Sequence, residues 1–155
     1  MSNLDFKVQP GIKEIGIKGI YFTIEGMENA TNNVEFDIYK NTVINKLNSV
    51  ITEDYIKSDV ILRGFRDLHQ KVNVSNRKFV SSSESLLNYF LKRREPPTIN
   101  LIVDIYNLIS LKSKLALGAH DIKNINGNVC LRLTNGLEKY IPLGLSSPKK
   151  ARENA

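Results

Sequence analysis

The sequence predicts a single domain in which strands and helices occupy separate stretches of chain. Three observations point there. Ile, Val, Phe and Tyr crowd the first 25 residues between glycines and alternate again after residue 128, as strands do. Between residues 33 and 112 the apolar period becomes three to four, as in helices with one buried side. A chain of 155 residues with 41% hydrophobic and 25% charged side chains has ordinary globular composition, enough for a core without staples.

Within residues 5–25, Ile15, Ile17, Tyr21 and Thr23 read as strands that bend or bulge at Gly16 and Gly19. Val34, Ile38, Ile44, Leu47 and Ile51 then mark one side of a helix, with Asn32 or Asn33 as its cap. Residues 58–72 read as a second helix, Ile61, Leu62, Phe65 and Leu68 on one side and Arg63, Arg66 and Lys71 away from it. Ser81-Ser-Ser-Glu84 is a capping box, in which the serine accepts from an amide and the glutamate reaches back. It opens a third helix with Leu86, Leu87, Phe90 and Leu91 as its apolar side, stopped by Pro96-Pro97.

A fourth helix covers about residues 101–112. Its polar side is narrow, with Asn100, Asp104 and Asn107 at i, i+4 and i+7 in one stripe. Solvated helix sides usually carry Lys and Glu. Asn, Asp and Asn in line predict side chains placed to hydrogen-bond something specific, although Asp104 reads equally well as an acceptor for backbone amides. After a turn at Gly118, Val129, Leu131 and Leu133 alternate toward the core, Asn135-Gly136 is the favoured hairpin turn, and Tyr140 and Ile141 continue the return strand. Residues 146–155 read as a disordered basic tail.

Charge is distributed unevenly. Residues 1–61 are net −3, residues 62–94 hold 8 basic against 2 acidic side chains for +6, and residues 95–155 are +3. A basic middle suits a chain that meets phosphates on one surface. A solvated helical surface explains it equally well, and Lys92, Arg93 and Arg94 also suit the negative end of a helix dipole.

One cysteine excludes an intrachain disulfide, and two histidines leave no Cys/His zinc cluster, so no metal or other cofactor is expected. No apolar run approaches the roughly 18 residues of a transmembrane helix, and the N-terminus lacks the layout of a signal peptide, so the chain reads as soluble and cytoplasmic. The phosphate loop, the dinucleotide fingerprint, His-Glu-x-x-His and the Gly-x-Ser-x-Gly elbow are absent. Cys130 reads as a core thiol and His69 as an exposed histidine. His120 stands between Gly118 and Asp121, where a carboxylate could fix its tautomer.

The stretch Pro97-Thr-Ile-Asn-Leu-Ile-Val-Asp-Ile-Tyr-Asn-Leu-Ile-Ser-Leu-Lys112, followed by Leu117-Gly-Ala-His-Asp121, closely resembles one signature. It is that of the tRNA-editing module of the phenylalanyl-tRNA synthetase beta subunit (its third and fourth domains) and of that module's free-standing relatives. Arg63-Gly-Phe-Arg66 looks like the paired-arginine helix of the free-standing proteins. Ser83-Glu-Ser-Leu-Leu87 and Lys92-Arg-Arg94 match the helix before the proline. Residues 128–144 resemble the hairpin that follows. The likeness covers residues 58–144, and residues 1–57 are compatible with it.

The resemblance implies an α+β fold over residues 1–145, with a sheet-built core and flanking helices. It implies aminoacylated tRNA as the partner, neither DNA nor a membrane, and hydrolysis of a wrong amino acid from the tRNA end. It places Asn107, His120 and Asp121 as catalytic residues, and Asn100, Asp104, Tyr106 and Gly118 against the substrate. Arg63, Arg66, Lys92, Arg93 and Arg94 would meet the tRNA. The aminoacyl ester is labile, so such a site needs a positioned water and a size-selective pocket more than a strong nucleophile.

Two positions depart from the bacterial subunits: Gly118 replaces a histidine, and Tyr106 falls where they usually carry threonine. Both resemble the free-standing or archaeal branch and imply removal of a different amino acid. The free-standing family continues past its Pro-Leu-Gly hairpin into a Trp/Arg-rich strand. This chain has no Trp, so the resemblance implies a C-terminally truncated member. Three other readings stay open: a non-catalytic tRNA-binding or interaction module, an inactive fragment, and a binder of free amino acids.

Overall fold

The computed structural model describes residues 4–31, 33–142 and 145–153. Along the chain run β1 (Phe6–Val8), α1 (Pro10–Glu14), α2 (Val34–Val50), α3 (Glu53–Ser58), α4 (Val60–Lys71), α5 (Ser82–Arg93) and α6 (Leu101–Ser113). A 3-10 turn (Ile122–Asn124), β2 (Val129–Leu131), β3 (Lys139–Tyr140) and β4 (Lys149–Lys150) follow. The residues fall into two compact units. One is Ile24–Asp67 with Ser75–His120; the other is Met1–Thr23 with Leu68–Val74 and Asp121–Ala155.

The first unit is helical, and its helices start where a side chain replaces a missing backbone acceptor. Asn33 accepts from the Phe36 N–H at 2.9 Å, Thr52 from Tyr55 at 3.1 Å, Ser81 from Glu84 at 3.3 Å and Asn100 from Val103 at 3.1 Å. Asp59 accepts from Ile61 and Leu62 at 2.9 and 3.1 Å, which separates α4 from the short α3. Thr52 and Asp59 mark α3, but six residues are too few for the apolar period to show. Helices α5 and α6 end on left-handed residues, Arg94 and Lys114, at φ 61° and 60°.

Ile51, Ile56, Leu62, Leu87, Phe90 and Leu111 form the core of this unit, walled by Ile44, Leu47, Tyr55, Leu86 and Leu91. Every one of these belongs to a helix or to the residue that ends one. The α+β composition is as expected, but the sheet-built core is not: the described strands are only two or three residues long and cannot cover an apolar cluster. Val34, Ile38 and Ile61, expected on the buried sides, are exposed.

In the second unit β1 pairs with β2 in parallel, Phe6 beside Val129 and Val8 beside Leu131. Gln9 N–H to the Leu131 carbonyl and Val129 N–H to the Asp5 carbonyl, both 3.0 Å, extend the ladder. β3 pairs antiparallel with β4. The expected hairpin of residues 128–143 is therefore not formed among the described residues.

Local hydrogen bonds explain why. A type I′ turn needs positive φ at both central residues, and of the pair only Gly136 has it, at 79°. The Asn135 side chain instead accepts from the Leu137 N–H at 3.0 Å, and the Asn135 N–H donates to the Glu138 carboxylate at 3.0 Å. Arg132 forms an ion pair with that carboxylate. The segment read as a disordered tail carries β4 within its described part.

The strands expected at residues 15–23 are also absent. Just before them Pro10, with its fixed φ and no N–H to satisfy, opens α1. Ile12 is buried in this unit. Cys130 is exposed rather than packed, since Val129 and Leu131 turn to the half-buried side of β2 and the strand period sends Cys130 to the other. Asn32, named as a possible cap, and Leu143 and Gly144, within the stretch 128–144 that resembles a hairpin, lie outside the described residues.

Candidate functional site

The polar stripe of α6 exists, and most of it is committed to the fold. Asn100 is the N-cap, its oxygen bound by the Val103 N–H. Asp104 is buried, and its Oδ1 accepts from the Ile99 N–H at 2.8 Å, closing the turn that leads into the helix. Asn107, one turn further, is half-buried, and its side chain makes no hydrogen bond among the described residues. Tyr106 is half-buried beside it.

Past Lys114 the chain runs irregularly to His120, exposed from Leu115 onward. Gly118 has no positive φ, and nothing lies within 4 Å of where a Cβ would sit, so the backbone there does not require glycine. The expected tight glycine turn is not formed. His120 is exposed and makes no hydrogen bond or ion pair among the described residues. Asp121 belongs to the other unit and caps the 3-10 turn, accepting from the Lys123 N–H at 3.0 Å and from the Asn124 side chain at 3.3 Å.

The five expected phosphate contacts divide sharply. Arg66 forms a two-pronged pair with Glu84, its Nε and Nη2 at 3.1 and 2.8 Å from the two carboxylate oxygens. Its remaining donors reach the Lys57 and Ile56 carbonyls at 3.1 and 3.0 Å. The Glu84 side chain of the expected capping box is therefore occupied by Arg66. Arg94 ends α5, and its carbonyl accepts from Asn48 at 3.3 Å while its guanidinium donates to the Ile51 carbonyl at 3.4 Å. Arg63, Lys92 and Arg93 are exposed, with no ion pair among the described residues.

Lys114 had no mark in the sequence beyond its place after α6. Its ammonium lies 5.3 Å over the Tyr55 ring and 3.8 Å from Asp59. The hydrogen bond to the Tyr55 hydroxyl, together with the Tyr55 and Asp59 charges and against partial burial, holds its pKa above the ordinary lysine value. In the second unit desolvation works to raise the Glu138 carboxyl. Its own backbone amide, the Asn135 amide and Arg132 outweigh that and hold it below the usual range.

Among the described residues no His, Cys, Asp and Glu side chains group to hold a metal ion, and no helix is long and apolar enough to cross a membrane. No curated protein and no solved structure matches the chain. A family model, that of the B3/4 domain, matches residues 69–154, just over half its length. The matched segment takes in α5, the capped stripe of α6 and all the strands that follow, so the chain belongs to the B3/4 domain family, the domain found in the phenylalanyl-tRNA synthetase beta subunit.

Proposed function

We propose that this chain binds aminoacylated tRNA and, in the cytoplasm, hydrolyses mischarged tRNA in trans. The B3/4 domain is associated with tRNA binding in the synthetase beta subunit. The observation that supports binding here is the state of Lys92 and Arg93. They are adjacent, solvated and unpaired among the described residues, at the end of a helix anchored in the core by Leu87 and Phe90. The +6 of residues 62–94 survives folding, because the Arg66–Glu84 pair removes one charge of each sign.

Phosphate contacts release counterions, so each one lowers affinity about threefold as salt rises about fourfold. Titrating labelled tRNA at low and at physiological salt should show this dependence. Lys92→Glu with Arg93→Glu should flatten it and weaken binding while the melting temperature holds. Affinity that does not change with salt would sink the reading.

For hydrolysis, water must attack the ester carbonyl and the ribose hydroxyl must leave with a proton. Asn107 and His120 are the two expected catalytic side chains not used elsewhere among the described residues; Asn107 would orient the water and His120 would take its proton. Asn107→Ala and His120→Ala should lower deacylation of a panel of mischarged tRNAs and leave the melting temperature nearly unchanged. Activity on none of them would favour a non-catalytic binding module. The use of Asn100, Asp104 and Asp121 as acceptors for backbone amides supports that second reading.

A further inference from the structure

Residues 18–26 read Lys-Gly-Ile-Tyr-Phe-Thr-Ile-Glu-Gly, a run rich in strand-forming residues. It joins no ladder, and none of its backbone groups bonds another backbone group among the described residues. Tyr21, itself 45% exposed, folds back over Gly19, and its ring stacks on Phe6 with centroids 3.4 Å apart. The alternate positions are more exposed still. Ile20, Phe22 and Ile24 are 90%, 78% and 57% exposed.

The run is also symmetrical about Phe22. If two copies pair antiparallel on a two-fold axis through that residue, Phe22 faces Phe22 and each Ile20 faces Ile24 of the second copy. Tyr21 then faces Thr23, and directly opposed side chains share a face. Lys18 falls opposite Gly26 and Glu25 opposite Gly19, so no like charges meet. A slip of one residue would set Ile20 against Thr23 and mix the two faces, and a slip of two would leave Ile24 against Lys18 or Ile20 against Gly26, so the register centred on Phe22 is the one that opposes all three apolar side chains to apolar partners. A partner of unrelated sequence would require no such symmetry.

We propose that this segment is a self-association strand, paired antiparallel with the same segment of a second copy of this chain so that Ile20, Phe22 and Ile24 of both copies are buried. A standard interface buries about 800 Å² per partner, more than one strand of this length supplies, so the dimer is weak and depends on concentration.

Sedimentation of the full chain over a range of concentrations should show a dimer that dissociates on dilution. Phe22→Lys places two ammonium groups on the axis and should give monomer throughout, with unchanged circular dichroism and melting temperature because Phe22 is exposed. Ile20→Lys alone should also give monomer. Adding Ile24→Glu sets opposite charges against each other between copies and should restore a dimer that salt weakens. In a Cys130→Ser background, Phe22→Cys should cross-link on mild oxidation, and Ile24→Cys should not. Monomer at every concentration, a dimer indifferent to Phe22→Lys, open-ended association, or cross-linking through Ile24→Cys instead of Phe22→Cys would each overturn the proposal.

Discussion

Arg66 and Asp104 show how a polar residue that looks available for a ligand is consumed by its own fold. The Arg66 fork is filled by one carboxylate and two carbonyls, and Asp104 holds the amide of Ile99. Arg66→Ala would leave the half-buried Glu84 unpaired, and Asp104→Ala would leave an amide without its acceptor. Each should cost about 1–3 kcal/mol in denaturant unfolding. Arg66→Lys should rescue little, since a single ammonium cannot replace a planar fork. Lys92→Glu, by contrast, should leave stability within about 0.5 kcal/mol. If Arg66→Ala proved neutral for stability, Arg66 would return to the list of phosphate contacts.

At the scale of the element, the ends of the helices were legible and their joints were not. Asn33 and Ser81 are capping residues within a few positions of the amides they satisfy, and the structure uses each as a cap; Asn100, read for its place in the polar stripe, caps α6 as well. Lys114 is a joint: it ends α6 and meets Tyr55 of α3 and Asp59 before α4. Its pKa is raised in the folded chain, so its stabilisation is complete below the ordinary lysine value of 10.5 and is lost as pH climbs through the folded value. The stability difference between the native chain and Lys114→Gly, which keeps the left-handed end, should be level from about pH 6 to 9 and change only in strong alkali. Urea titrations at a series of pH values test it. A difference that changed near neutrality would point to another group.

The two units differ in what holds them. The helical unit has an apolar cluster in which Phe90 is fully buried, and a Phe90→Ala change there should cost about 3–5 kcal/mol. The strand-bearing unit relies on ladders of two or three residues, and Leu137, Tyr140, Ile141 and Leu145 stand exposed within it. Segments with few buried apolar contacts open at low free energy. Native-state hydrogen exchange should therefore find slow amides around Leu87 and Phe90 and much faster ones in β2 and β3. Equal protection in both would mean that the strands are supported by more than their own ladders.

The sequence by itself determined where the long helices begin, which leucines and phenylalanines line their buried sides, how the positive charge is placed, and the likeness carried by residues 97–121. All of these rest on short-range regularities: a 3.6-residue period, a capping side chain within three residues, a proline that ends a helix, and a local motif. Only the tertiary structure decided that β2 lies beside β1 rather than folding back on its own neighbour, that β3 takes its partner from the end of the chain, and that Glu84 belongs to Arg66. Each of these is a choice among competing donors and acceptors far apart in sequence. At Asn135 a side chain bonding its own backbone outcompeted the turn that the residue pair favours. No single stretch of chain records such a competition, because its outcome depends on which distant group arrives with the better-satisfied hydrogen bonds.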